Sequence, residues 1–259
     1  MLMKYIDIGL NLFSKQFAGR EEEILKRAGG MEVSFIITGS SIRSSEAAAR
    51  FSEAHEGVYC TAGIHPHEAD LASEDALRRI RRLLDKPCVI AAGECGLDYD
   101  RMYSPKEAQL KCFERHLVFA EECGKVLFLH ERAASEDFTA LMKEHAAAAE
   151  RSVVHCFTGT AAEAEGYLSL GCMIGITGWI CDERRNGDLK DALKTIPVDR
   201  LMAETDGPYL LPRGIKGLKN PNLPENVVYV VRKIAELKDM DEEELRTALL
   251  ENTKRFFGI

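Results

Sequence analysis

The sequence alternates short apolar runs with longer amphipathic or Ala-, Glu- and Arg-rich stretches from one end to the other. Because parallel strands need a crossover connection between them, this alternation predicts βαβ units and a parallel sheet. Strands that are covered on both faces read as continuous apolar runs, as these do. The predicted strands are residues 5–9, 33–38, 58–64, 88–93, 126–130, 152–156, 172–177 and 200–205.

Eight βα units in a chain of 259 residues are typical of an α/β protein with a (β/α)8 TIM-like barrel. A doubly wound open sheet is the alternative, since one misassigned run changes the strand count. No Pro-, Gly- or Ser-rich linker and no repeat interrupts the pattern, so we predict a single domain over residues 1–259. The predicted helices are residues 20–29, 43–55, 74–84, 104–124, 135–149, 161–169, 188–195, 225–237 and 241–256.

Composition narrows the setting in which the protein works. The formal charge of −8 argues against a broad surface for duplex DNA, although a local cluster of cations is enough to grip a few nucleotides. The eight cysteines include no Cys-x-x-Cys pair and lie mostly inside apolar runs, which indicates reduced thiols. No segment has the length of a membrane span, and the first residues lack the pattern of a leader. We therefore expect a cytoplasmic protein with no membrane partner.

Acidic or imidazole side chains stand at the ends of four predicted strands. Because the carboxyl ends of barrel strands converge on one face, we expect these side chains to be neighbours. A carboxylate with two imidazoles fits zinc, manganese or iron, and added carboxylates also admit magnesium. These residues are Glu94, His130, His155 and Asp206.

The first and last strands carry further carboxylates. Glu204 lies two residues before Asp206, so it points to the same side one layer deeper and is expected to be a buried partner. Asp206 is then the outer group, as a metal ligand or as a general base. On the first strand Asp7, Gly9 and Asn11 alternate on one side. Asp7 is either an oxygen ligand or a carboxylate that is hydrogen-bonded within the barrel.

Arginines gather in the last third of the chain, at Arg184, Arg185 and Arg213. They lie in the loops after the seventh and eighth predicted strands, a region of such barrels that often binds phosphate. Trp179 and Tyr209 flank them and offer rings for stacking on a base or a sugar. A solvated charged face is the alternative interpretation.

At these residues the chain resembles the TatD family of metal-dependent deoxyribonucleases, a branch of the amidohydrolase-like barrels. The resemblance runs from the first predicted strand to the C-terminus. It implies a TIM-like barrel and divalent-metal hydrolysis of phosphodiester bonds, typically as a 3′→5′ DNA exonuclease. The motifs that carry it are DIGLNLFSKQF, AGIHPHEA, GECGLDYDR, FLHERAA, HCFTGT, GITGWICDERR, ETDGPYLLPR and NTKRFFGI.

The resemblance also assigns roles to single residues. It implies that Glu94, His130 and His155 are metal ligands. Asp206 is similar to the final catalytic or metal-binding Asp of the family, and His65 to its substrate-site histidine. The expected substrate contacts are Asn11, Arg132, Arg184, Arg185 and Arg213.

Two positions depart from the family pattern. Many relatives carry His-x-His on the first strand, which helps to hold a second metal, whereas this chain has Asp7 and Gly9 there. An acidic residue often follows His-x-Arg, whereas this chain has Ala133, which removes a possible orienting group. The first departure predicts that one metal is bound firmly and a second only with substrate.

The leading prediction is a metal-dependent nuclease that uses one or two Mg²⁺, Mn²⁺ or Zn²⁺ ions. Its expected partners are DNA ends, with RNA as a further possibility, and a monomer is favoured. The second hypothesis is a metal-dependent amidohydrolase or phosphoesterase acting on a small molecule, because fold does not fix substrate. The third hypothesis is a metal-binding partner protein without turnover.

Overall fold

Eight strands form one sheet in the order in which they occur in the chain. Within the sheet, the registered pairs β3–β4, β4–β5, β5–β6 and β7–β8 are parallel. A parallel bridge between Leu10 and Gly207 joins the end of the first strand to the segment after the last one. The strands are β1 (Tyr5–Leu10), β2 (Val33–Ile37), β3 (Tyr59–Ala62), β4 (Val89–Asp98), β5 (Val126–Arg132), β6 (Ser152–Val154), β7 (Met173–Ile176) and β8 (Leu201–Ala203).

Helices connect successive strands, so the fold class is the predicted (β/α)8 TIM-like barrel. One predicted helix, 135–149, is divided in two because His145 has non-helical backbone angles of φ −116° and ψ 52°. The helices are α1 (Glu21–Gly30), α2 (Ile42–Ala54), α3 (Glu74–Leu83), α4 (Lys106–Cys123), α5 (Ser135–Glu144), α6 (Ala146–Ala149), α7 (Ala161–Ser169), α8 (Gly187–Thr195), α9 (Val227–Lys238) and α10 (Glu242–Phe257).

This computed structural model describes residues 3–259, which pack into two compact units. Unit 1 comprises residues 3–36, Cys156–Leu168 and Met173–Ile259. Unit 2 comprises Ile37–His155 and Ser169–Cys172. The single domain over 1–259 stays a prediction.

In unit 2, β4 is longer than the sequence indicated. The predicted strand ended at residue 93, whereas β4 continues to Asp98, so Glu94 lies inside the strand and not after it. Pairing with β5 shifts register between Ala92 and Cys95 and then resumes. Gly96 makes this possible, because it has a φ of +137° and a Cβ there would collide with the carbonyl oxygen of His130. The glycines of GECGLD therefore belong to a bulged strand and not to a loop.

In unit 1, the core lies between the strands and the last two helices. Ile8 and Leu10 of β1 are fully buried, as are Val230 and Ile234 of α9. The side-chain amide of Asn252 in α10 donates to the carbonyl of Leu201 at 2.9 Å, which fixes the start of β8. Strands β1 and β8 therefore pack against α9 and α10.

Two predictions from composition bear on the whole described chain. All eight cysteines are free thiols, as expected, and four of them are buried. Among residues 3–259, no helix has both the length and the apolar character that crossing a membrane requires.

Candidate active site

Three histidines of unit 2 converge on one carboxylate oxygen. Oε1 of Glu94 lies 2.8 Å from Nε2 of His155, 3.2 Å from Nε2 of His65 and 3.3 Å from Nδ1 of His130. Glu94 is inside β4 and His130 inside β5, while His65 and His155 follow β3 and β6. Four consecutive strands of the sheet therefore supply one cluster. The predicted metal residues Glu94, His130 and His155 are brought together, and His65 joins them.

Glu94 is ionised in this setting. Burial by itself raises the pKa of the Glu94 carboxyl, since the side chain is only about 7% exposed. The charges of His65 and His155 and the hydrogen bonds from His130 and His155 outweigh burial and hold that pKa well below its usual range. The cluster therefore presents an anionic oxygen surrounded by imidazole nitrogens.

A second buried carboxylate lies behind His130. Oδ2 of Asp98 is 2.7 Å from Nε2 of His67 and 3.3 Å from Nε2 of His130. Its Oδ1 accepts from the backbone N–H of Asp100 and of Arg101. Burial by itself raises the pKa of Asp98. The hydrogen bonds from His130 and His67 outweigh burial and hold that pKa well below its usual range, so Asp98 is ionised.

Neither Asp98 nor His67 was assigned a role from the sequence. A strand that continues past residue 93 places Glu94, Gly96 and Asp98 on one side. The apolar run ends at residue 93, so the sequence predicts a loop at Asp98 and the alternation past Glu94 carries no strand signal of its own.

His65 is held as a neutral hydrogen-bond donor. Its Nδ1 accepts from the backbone N–H of His67 at 3.0 Å, so the proton of the neutral ring sits on Nε2, which faces Glu94. Burial lowers the pKa of His65 to about 4, against the opposing charge of Glu94. In this tautomer His65 donates to Glu94, as His130 and His155 also do.

The donor set fits a divalent metal ion. One ligand atom each from His65, Glu94 and His130 lies within 4.8 Å of the others. Nε2 of His130 bonds to Asp98 while Nδ1 faces Glu94, so a carboxylate supports the ring on the side away from the cluster, as is usual for a metal-binding histidine. Imidazole and carboxylate donors together suit Zn²⁺ and Mn²⁺.

Asp206, in unit 1, stands just beyond β8. Its Oδ1 accepts from the side-chain amide of Asn11 at 2.8 Å, and its backbone has a φ of +52°. The backbone N–H of Asn11 donates to Gly207, so the ends of β1 and β8 hold each other. Asn11 thus orients the Asp206 carboxylate, and its contact with substrate stays a prediction.

Asp7 is fully buried at the same pair of strands. Its Oδ1 accepts from the N–H of Thr205 at 2.8 Å and of Gly9 at 3.1 Å, and its Oδ2 is bonded to the hydroxyl of Thr205. These contacts favour the second interpretation given above, a carboxylate hydrogen-bonded within the fold. Glu204 is fully buried as expected, and its Oε1 accepts from the N–H of Cys156 at 2.5 Å.

The predicted arginines differ in their partners. Arg184 forms a two-contact pair with Asp182, at 2.8 and 2.7 Å, and Arg213 also reaches Asp182 at 3.3 Å. The guanidinium of Arg185 lies over the ring of Trp179, 5.7 Å from its centroid. Arg132, in unit 2, is the last residue of β5, and its carbonyl accepts from the N–H of Tyr99.

Comparison with known proteins agrees with this architecture. The family model of TatD related DNase matches residues 6–258. A crystal structure of YjjV, a TatD homolog from Escherichia coli K12, superposes with a TM-score of 0.90 at 28% sequence identity and covers 100% of both chains.

Curated relatives match over almost the whole length. The chain is 41% identical over 257 residues to the 3′-5′ ssDNA/RNA exonuclease TatD of Pantoea vagans, covering 98% of this chain and 99% of that protein. It is also 41% identical over 256 residues to the protein of the same name from Enterobacter lignolyticus, covering 98% of each. The chain therefore belongs to the family of TatD-related DNases.

Proposed function

We propose that this protein is a divalent-metal-dependent 3′→5′ exonuclease that acts on single-stranded DNA or RNA. The observation that carries the proposal is the convergence of three imidazole nitrogens within 3.3 Å of one oxygen of Glu94. The substrate and the polarity are those in the name of the relatives that are 41% identical to the chain.

The proposed metal ligands are Glu94, His130 and His155. We assign His65 to the substrate as a neutral donor to a phosphate oxygen, because its Nδ1 accepts from His67 and its Nε2 carries the proton. A divalent ion held by the ligands supplies a Lewis acid for the phosphodiester and lowers the pKa of nearby water. In unit 1, Asp206 is the proposed general base, and Asn11 fixes its Oδ1.

One ion is expected in the absence of substrate. Gly9 has no side chain to offer, and both oxygens of Asp7 already accept hydrogen bonds from β1 and from Thr205. The first strand is therefore poorly suited to hold a second ion. Equilibrium dialysis with Mn²⁺ or Zn²⁺ should give one ion per chain, and two firmly bound ions would contradict this stoichiometry.

End-labelled oligonucleotides test the activity itself. Single-stranded and double-stranded DNA and RNA carrying a 5′ label are incubated with Mg²⁺, Mn²⁺, Zn²⁺ or EDTA, and the products are followed over time. A ladder that shortens one nucleotide at a time from the 3′ end, with metal only, is the expected result. Hydrolysis of a small amide or phosphoester with intact oligonucleotides would support the second hypothesis instead.

Variants connect the activity to the cluster. His130→Ala and His155→Ala should each abolish metal-dependent release of nucleotides. His145→Ala is the matched control. His145 is a half-buried histidine just after α5, and its ring contacts Glu121 of α4. Full activity in both cluster variants would refute the site.

We also infer that the protein works in the cytoplasm as a monomer. Eight free thiols fit a reducing compartment. Fractionation and light scattering test these two points, and a stable oligomer would contradict the second.

A further inference from the structure

Unit 1 contains a cavity of about 480 Å³ between two loops. One loop follows β7 and includes Trp179, Asp182 and Arg185, and the other follows β8 and includes Arg213. A volume of this size lies in the range of small-molecule binding sites, about 300–1,000 Å³. The cavity is therefore large enough for one nucleotide.

The two loops are held together before any ligand arrives. Gly178 lies so close to the carbonyl of Leu210 that a Cβ at this position would collide with it. The hydroxyl of Thr177 accepts from the N–H of Trp179 at 3.3 Å. The buried side chain of Asn186 donates to the carbonyl of Ile180 at 2.6 Å. The walls are thus fixed by close packing and buried hydrogen bonds.

The cavity carries an excess of positive charge. Its lining includes two guanidinium groups, those of Arg185 and Arg213, and one carboxylate, that of Asp182, which also pairs with Arg184. Arg184 donates to both carboxylate oxygens of Asp182, and Arg213 makes a single longer contact with the same carboxylate. Within residues 3–259, Arg185 has no carboxylate partner. An anion such as a phosphodiester therefore has cations to bind.

A flat aromatic surface accompanies the charge. The indole N–H of Trp179 donates to the carbonyl of Arg185 at 3.3 Å, which fixes the ring plane, and the Arg185 guanidinium lies 5.7 Å from the ring centroid. Stacking on an aromatic ring is available only to a base that is not already stacked and paired in a duplex. A ring and cations in one cavity match a nucleotide better than a free phosphate, which needs no ring.

We propose that this cavity binds one unpaired nucleotide of a single-stranded substrate, with its base on Trp179 and its phosphate on Arg185 and Arg213. This subsite rests on the proposed nuclease function. In this subsite Asp182 is a positioning residue. Its carboxylate binds Arg184 after β7 and Arg213 after β8, and so holds these two arginines in place.

Tryptophan fluorescence tests occupancy directly, because Trp179 is the only tryptophan in the chain. Short oligothymidylates are titrated into the wild-type protein in EDTA, so that no cleavage occurs, and binding is followed in parallel by anisotropy of a fluorescein label. The emission of Trp179 should change with the same midpoint as the anisotropy. Saturated binding with unchanged emission would overturn the proposal.

Substitutions test the two halves of the subsite separately. Trp179→Ala should weaken oligothymidylate binding by roughly tenfold, the loss of one stacked base. Arg185→Ala should weaken it by about three- to tenfold and reduce the slope of log affinity against log salt by about 0.7. Unchanged affinity and salt dependence in both variants would overturn the proposal.

Arg246→Ala is the matched control. Arg246 also lies over an aromatic ring, that of Tyr5, with 5.8 Å to the centroid, but its guanidinium is paired with Glu243 near the start of β1. Its substitution should leave oligothymidylate affinity unchanged, and thermal melting verifies that each variant is folded. An equal loss in Arg246→Ala would mean that the effect does not belong to this cavity.

The cleavage assay keeps this inference distinct from the proposed function. Metal-loaded wild-type protein that never shortens an oligonucleotide refutes the nuclease. Wild-type cleavage with an unchanged KM in Trp179→Ala and Arg185→Ala refutes the subsite and leaves the nuclease intact. The expected result is a raised KM with nearly unchanged kcat, since the subsite adds binding of the strand and no group to the chemical step.

Discussion

Asp98 lies 3.3 Å from Nε2 of His130, while the other nitrogen of the same ring, Nδ1, lies 3.3 Å from Glu94. The imidazole is thus held between two carboxylates that belong to one strand. His67 and two backbone N–H groups fix Asp98 in turn. A supporting carboxylate of this kind sets the tautomer and the orientation of a metal-binding histidine.

Replacing Asp98 should therefore weaken metal binding without removing a ligand. We expect Asp98→Ala to lower the affinity for Mn²⁺ or Zn²⁺ by about 10–100-fold, and Asp98→Asn by less, because its amide oxygen still accepts a hydrogen bond. Isothermal titration calorimetry measures the affinity, with Asp100→Asn as an exposed control on the same loop. An unchanged affinity in Asp98→Ala would show that His130 needs no such support.

The contacts of Asp98 illustrate which features of the site the sequence predicts and which it does not. The eight apolar runs were sufficient to predict the barrel, and Glu94, His130 and His155 stood out because ligand-type residues closed these runs. The partnership of Asp98 with His67 depends on a bulge in β4 and on the short 3₁₀ helix after β3 that contains His67. Contacts between segments about 30 residues apart are determined by packing, and no local pattern specifies them.

The same limit explains Asn11 and Arg184. Both are expected to contact substrate as single polar residues near a predicted site, and that stays a prediction. In the folded chain Asn11 bonds to Asp206, and Arg184 is paired with Asp182. A sequence shows which side chains are available, but hydrogen-bond partners depend on the three-dimensional structure.

His65 is proposed to contact the substrate, whereas His130 and His155 are proposed to hold the metal. His65→Ala should lower kcat for oligonucleotide cleavage by about 10²–10⁴-fold, which is the usual rate contribution of a positioned proton donor. The same substitution should change metal affinity little. His155→Ala should lower both, because it removes a ligand. Calorimetry with Zn²⁺ and single-turnover cleavage separate the two effects. Comparable losses of metal affinity in both variants would make His65 a ligand.

Asp7 is expected to matter for stability. Asp7→Ala leaves the buried N–H groups of Gly9 and Thr205 without acceptors, which should cost about 2–5 kcal/mol of unfolding free energy. Asp7→Asn keeps an acceptor and should cost less. Urea unfolding measures both variants. Equal losses in the two variants would mean that the packing volume of residue 7 matters more than its hydrogen bonds.

The pH dependence of that stability follows from burial, which raises the pKa of Asp7 well above its usual value. A pKa raised on folding means that the native state holds the proton more tightly, so the contribution of Asp7 is full below about pH 4 and falls as the pH rises. Asp7→Asn lacks this fall. The stability advantage of the wild type over Asp7→Asn should therefore shrink as the pH rises, and an advantage that grows would contradict the raised pKa.

Cys88, just before β4, should be an unusually reactive thiol. A hydrogen bond from the thiol of Cys60 lowers the pKa of Cys88 to about 7, against the opposing effect of burial. The thiolate is the reactive form, so alkylation of Cys88 by iodoacetamide should rise through a midpoint near that value. Cys60→Ala removes the donor and should move the midpoint up towards about 8.5, the ordinary thiol pKa. Cys123, a half-buried thiol whose pKa burial raises, is the control in the same chain. Mass spectrometry of the alkylated peptides measures both rates, and the same midpoint with and without Cys60 would refute the hydrogen bond as the cause.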